Sequence, residues 1–185
     1  MRMKNNRFIY AFYLIGSILL VISGCKDDNQ VPVELKIGIS YQGGIIFNID
    51  AAGEHGLIAA PSDQSVTDPW WNGSFVTTGA TSASNGSANT TAIINAQGNS
   101  GNYAARNCGN YRGGGFSDWF LPSKDQLNIL FNQKTVVKNF TNQIYWSSTE
   151  YNLGSAWVQD FETGEQHLDN ISDRANVHTR AIRAF

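Results

Sequence analysis

The chain holds only two cysteines in 185 residues, Cys25 and Cys108. That excludes a disulfide-dense secreted scaffold, so a hydrophobic core has to hold the fold. Charge is also scarce, at 15% of residues, with 13 Lys/Arg against 15 Asp/Glu and a net charge of −2. Without a surplus of cations to neutralise phosphates, no basic nucleic-acid binder is indicated. Internal repeats and low-complexity tracts are missing as well. No HExxH, GxSxG or P-loop pattern occurs. The three histidines, His55, His167 and His178, are scattered without the ligand spacing that zinc requires, so neither a metal nor a cofactor is expected. What is present is 18 Gly, 19 Asn, 42% hydrophobic and 12% aromatic residues. This is enough apolar surface for one ordinary folded domain plus an appendage.

The appendage comes first. Arg2, Lys4 and Arg7 precede an almost wholly apolar run from Phe8 to Ile22 of about fifteen residues. A basic start and a short apolar stretch have the proportions of a secretory signal and are short for a permanent membrane span. The run ends Ile22-Ser23-Gly24-Cys25. Small residues before a cysteine resemble the lipobox of bacterial lipoproteins, which implies that residues 1–24 are removed and that Cys25 is acylated, for example with palmitate. The alternative is a plain signal peptide with an incidental cysteine. Each buried acyl methylene contributes roughly 0.8 kcal/mol, and stable anchoring needs more than one chain.

Removal of the leader takes three cations and no acid, leaving 161 residues with ten Lys/Arg, fifteen Asp/Glu and a charge of −5. Residues 25–36 then read as the acylated cysteine and a polar tether. Lys26-Asp27-Asp28 resembles an acidic tag that routes some lipoproteins to the outer face of the outer membrane; a solvated spacer explains it equally. With Cys25 lipidated, Cys108 is alone, to be read as a small buried apolar residue or as a nucleophile.

In residues 37–185, Tyr41–Asp50 and His55–Ala60 read as a hairpin closed by Ala51-Ala52-Gly53-Glu54 and stopped by Pro61. Residues 62–90 form a long polar loop, functional or mobile. Asn89-Thr90 reads as a cap before a helix over 91–97, with a second helical stretch in 101–111. A third helix starts at Pro122 in its first turn, with Asp125 near its N-terminus and Leu127, Leu130 and Phe131 on one apolar face. Strands are expected at 144–148, 156–161, 166–168 and 177–185.

Three stretches combine into a family likeness: Tyr41-Gln42-Gly43-Gly44-Ile45-Ile46-Phe47; Asp118-Trp119-Phe120-Leu121-Pro122-Ser123 with Gln126-Leu127; and Tyr145-Trp146-Ser147-Ser148-Thr149-Glu150 with Arg180-Ala181-Ile182-Arg183. Together they resemble the C-terminal domain of the collagen-like adhesin Lcl, found in bacterial surface lipoproteins. The resemblance implies an α+β, C-type-lectin-like fold, shared with formylglycine-generating enzymes. It would have twisted antiparallel sheets, two or three short helices, and adjacent N- and C-terminal strands. The paired cysteines of those enzymes are absent, so their activity is not implied.

For function, the residues leave three readings: recognition of a glycan or surface protein, a structural or assembly role in the envelope, or an enzyme of unassigned chemistry. Trp70, Trp71 and Asn72 form the candidate ligand site. Flat rings stack on sugars and an amide serves hydroxyls, unless the tryptophans plug the core beneath the loop. Trp119, Trp146 and Trp157 read as core. Glu150, Asp160, Glu162 and Asp169 are the acids that calcium would use, or else solvated acids. Asp118, Glu150, Arg180 and Arg183 are expected to form carboxylate–guanidinium pairs locking the terminal strand, with an anion site as the alternative.

Overall fold

Two apolar runs on either side of a Gly-containing turn build the first hairpin. β2 (Gly44–Ile49) and β3 (Gly56–Ala59) pair antiparallel, with Ile46 opposite Ile58 and a register shift between Ile46 and Asn48. Between them Asp50 closes the turn, its side chain accepting the Glu54 amide at 3.0 Å. This computed structural model describes residues 34–173 and 175–185. The signal sequence, Cys25 and the tether as far as residue 33 therefore lie outside the described residues. No helix among the described residues is long and apolar enough to cross a membrane.

A two-residue strand, β1 (Ser40–Tyr41), joins the outer side of β2, and the last strand, β8 (Ile182–Ala184), joins β3. The order of this antiparallel sheet is β1-β2-β3-β8. Tyr41-Gln42-Gly43-Gly44 makes the bend between β1 and β2, and here glycine is required. Gly43 has φ +86°, and a Cβ on it would strike the backbone of Gly114.

The second sheet contains β4 (Ile144–Asn152), β5 (Ser155–Asp160), β6 (Gln166–Asn170) and β7 (Val177–His178), in the order β6-β5-β4-β7. Its pairs are antiparallel except β4 with β7, which is parallel. The predicted terminal strand over 177–185 is thus two strands in two sheets. The crossing residues bond to the loop after β3 instead: Ala60 N–H donates to the Ala181 carbonyl at 2.9 Å and Gln64 N–H to that of Thr179 at 2.8 Å.

Four helices lie between the sheets in sequence: α1 (Gly86–Gln97), α2 (Ala104–Asn110), α3 (Lys124–Asn132) and the single turn α4 (Lys134–Val137). α1 begins five residues before its expected start. Asn85 is its cap, accepting the Ala88 amide at 3.0 Å. Asn89 and Thr90, predicted as the cap, are buried inside the helix, where Asn89 donates to the Ser82 carbonyl and Thr90 accepts the Leu121 amide. Periodicity misses this start because the inward face of the first turns is polar. α3 follows a reciprocal capping box of Ser123 and Gln126, so Pro122 precedes the cap rather than entering the first turn. Its Leu127 and Leu130 are buried, as their spacing predicts, and Phe131 is half-buried.

The fold is α+β. One core cluster gathers Trp70, Trp71, Ile93, Tyr103, Cys108, Trp119, Leu121 and Trp146. The other joins Phe47, Phe120, Leu127, Leu130, Tyr145, Phe161 and Ile182, bringing α3 against both sheets.

Candidate functional site

The long loop belongs to the core. Trp70 is buried and its indole N–H donates to the Ser147 carbonyl at 2.8 Å. Trp71 is also buried, with Phe75 laid over it at 4.4 Å between ring centres. Asn72 spends its side-chain amide on the Gln97 carbonyl, and its backbone N–H donates to Gln97 Oε1 at 3.1 Å. The expected platform of Trp70, Trp71 and Asn72 is therefore corrected. Its rings and amide are used up in holding loop to helix and strand.

β4 explains how such a polar loop is held. Six consecutive residues, Tyr145 to Glu150, are buried, and the last four are polar. Ser148 N–H donates to the Pro122 carbonyl at 2.7 Å, and Thr149 Oγ1 to that of Ser82 at 2.9 Å. Glu150 accepts the Thr78 and Gly79 amides and the Thr78 hydroxyl, all at 3.0–3.1 Å. In place of the expected arginine it takes two backbone amides and a hydroxyl, and among the described residues it forms no ion pair. A buried carboxylate needs hydrogen bonds to its charged form, and three serve that purpose.

The two arginines find different partners. Arg183 forks onto Asp118, with Nε to Oδ1 at 2.6 Å and Nη2 to Oδ2 at 2.9 Å. The guanidinium also donates to Gln42 and lies 3.8 Å over the Phe116 ring. This hydrogen bonding holds the Asp118 carboxyl below its usual value. The YQGG bend, the loop before α3 and β8 thus meet at one guanidinium, as the pairing hypothesis requires for Asp118 and Arg183.

Arg180 pairs with Asp63, a residue the sequence reading does not single out. Its Nε donates to Asp63 Oδ1 at 2.6 Å, Nη1 to the Ala60 carbonyl at 3.0 Å and Nη2 to that of Asn139 at 2.6 Å. Asp63 Oδ2 accepts from His178 Nδ1 at 2.7 Å and from the Tyr145 hydroxyl at 3.0 Å. Burial pushes the Tyr145 hydroxyl up to about 12, so it remains a donor. Only a survey of carboxylates within the 62–90 loop could have flagged Asp63, and Asp68 would have competed with it.

The remaining chemical candidates are dispersed. Cys108 is fully buried, and burial pushes its thiol well up, away from the thiolate a nucleophile needs. Asp160 accepts the Glu162 and Thr163 amides of its own turn, which lowers its carboxyl. Among the described residues no three His, Cys, Asp or Glu side chains gather as a metal site. An open hollow of about 310 Å³ beside β1, lined by residues 40–45 and Pro61, carries no acid, base or thiol.

One tryptophan departs from the core assignment. Trp119 and Trp146 are buried, but Trp157 is only half-buried on the outward face of β5. The exposed Tyr151 meets it edge-on at 6.3 Å, and the exposed Leu168 is its register partner on β6. Lys124 Nζ sits 5.4 Å from its ring centre. No protein-family model matches this chain, and no curated protein matches it significantly.

Proposed function

We propose that this chain is a bacterial envelope lipoprotein, anchored in the outer membrane through acylated Cys25, whose domain recognises a glycan or surface protein without catalysis. The observation that carries the reading is the leader: three cations, an apolar run and Ser23-Gly24-Cys25, followed by a charged tether. The α+β architecture, with β8 hydrogen-bonded beside the first hairpin, supports a C-type-lectin-like fold and the likeness to the Lcl C-terminal domain. The sealed Cys108 supports contact rather than turnover.

Labelling cells with a clickable palmitate analogue tests the anchor. The intact chain should take up label and sediment with outer membranes, and Cys25→Ser should lose both properties. An unlabelled chain among soluble intracellular proteins would sink the proposal. A second reading, an assembly component without a small ligand, is favoured by the burial of Trp70 and Trp71, which removes the expected sugar platform. Co-purification of envelope partners in stoichiometric amounts, with no glycan bound, would select it.

A further inference from the structure

Four of the five tryptophans are buried, and three of those donate their indole N–H to a backbone carbonyl: Trp70 to Ser147, Trp119 to Gly113 and Trp146 to Asp68. Trp157 does neither. It is half-buried, and its indole N–H has no acceptor among the described residues.

The sheet register fixes where its ring goes. Glu150 and Ala156 are opposite one another on β4 and β5, and both are buried on the inner face. Trp157 follows Ala156 and turns to the outer face by strand alternation, while Tyr151, between Glu150 and Asn152 where the register shifts, is exposed beside it. Their rings stand at 88° to one another, making an inside corner with a floor and a wall. Leu168 extends the floor from β6, and Ser155 and Asn170, paired in register, occupy the next outward position. On the other side α3 closes the face. Gln159 donates to Asn128 at 2.9 Å, and Gln166 donates to the Lys124 carbonyl at 2.6 Å. The corner lies just beyond the start of α3, whose Lys124 ammonium stands 5.4 Å over the indole, and on its other side the exposed Tyr151 and Leu168 border it.

We infer that the corner formed by Tyr151, Trp157 and Leu168 binds one uncharged hexopyranose unit of an oligosaccharide. The inference rests on the recognition reading and gives it a place. A pyranose ring offers an apolar C–H face to an indole floor and hydroxyls at its edge to an N–H donor and a polar rim. Held by paired strands, the rings lose little freedom on binding. Three side chains are too few for a stable protein interface, which buries about 1,200–2,000 Å². The neighbouring cation does not ask for an anionic sugar, because Lys124 is matched by Asp125 at 3.1 Å. The acidic mature chain points the same way.

The test uses the full chain in detergent, titrated with cellohexaose, maltohexaose, chitohexaose and mannohexaose, with a heparin hexasaccharide alongside. Calorimetry reads affinity and intrinsic fluorescence reports on Trp157. At least one uncharged hexasaccharide should bind and alter the fluorescence. Trp157→Ala should weaken it at least tenfold and Tyr151→Ala severalfold, with Trp157→Phe in between and thermal unfolding little changed. If Trp157→Ala fails to fold, Tyr151→Ala and Trp157→Phe carry the test. Binding unchanged in these variants would overturn the corner while leaving recognition intact. Binding of the heparin fragment alone would overturn the uncharged assignment. No glycan bound, with envelope proteins co-purifying, would overturn this site in favour of a protein partner. Neither glycan nor partner would remove both readings.

Discussion

Arg180 and Arg183 are three residues apart in the same terminal segment, yet they live in different electrostatic settings. The Arg180 side chain is fully buried and its partner Asp63 is 11% exposed. Arg183 is nearly as buried at 8%, but its partner Asp118 is 57% exposed. At Arg180 every donor group points at a protein acceptor, and the carboxylate serves an arginine, a histidine and a tyrosine at once. At Arg183 the charge is shared with water through Asp118. Two pairs of the same chemical type therefore differ in what their loss leaves behind. One leaves an uncompensated charge in the core, whereas the other leaves a charge that water can reach.

The sharpest way to break this comparison is Asp63→Ala. It should cost about 3–5 kcal/mol, because Arg180 is left charged and unpaired in the interior. Equilibrium urea unfolding measures the loss, and a value near that of Asp118→Ala would abolish the distinction. Glu150→Ala asks whether a buried carboxylate without a cation behaves like Asp63. It should cost about 2 kcal/mol, from the donors of Thr78 and Gly79 left without their acceptor. Amide exchange should speed up first over residues 72–80, where the loop loses its tie to β4. Equal exchange across the whole chain would contradict a local role.

The smallest effect belongs to Asp118. Asp118→Asn should cost about 1 kcal/mol or less at neutral pH, since more than half of the side chain is in water. Its dependence on pH has a definite sign. Arg183 lowers the folded carboxyl below its usual 3.8, so the pair's stabilisation is present above about pH 4. It fades as pH falls through the lower folded value. Comparing the acid limb of unfolding in wild type and Asp118→Asn checks this. The difference between the two proteins should shrink below pH 4, and a difference that grows there would reverse the sign.

Legibility in the chain followed from how local each signal was. The first hairpin, the apolar face of α3 and the Asp118–Arg183 pair were readable, because apolar runs split by a turn, helical spacing and charge identity each point to an element or partner type. The start of α1 was hidden because Asn89 and Thr90 face inward with hydrogen bonds where a helix usually shows leucine or valine. The second half of β4 was hidden for the same reason, since Ser147 to Glu150 look solvated until their partners are known. Trp119 and Trp146 are buried as expected, but the other tryptophans do not follow their sequence setting. Trp70 and Trp71 sit in a polar loop and are buried, while Trp157 sits in a strand and reaches the surface. Polarity of the neighbouring sequence says little about a ring whose surroundings come from residues about eighty positions away, as with Trp70 and Ser147.

Read alone, the amino-acid order already placed an apolar run with a cysteine at its end near the N-terminus, helical and strand-like segments after it, and a guanidinium–carboxylate lock near the C-terminus. These depend on composition, short-range periodicity and residue chemistry, all of which are local. Folding settled that Arg180 would take Asp63, that Glu150 would take backbone amides, and that Trp157 would stand at the surface. Those outcomes are set by which distant segments arrive together and by the need to satisfy every polar group that their meeting takes out of water.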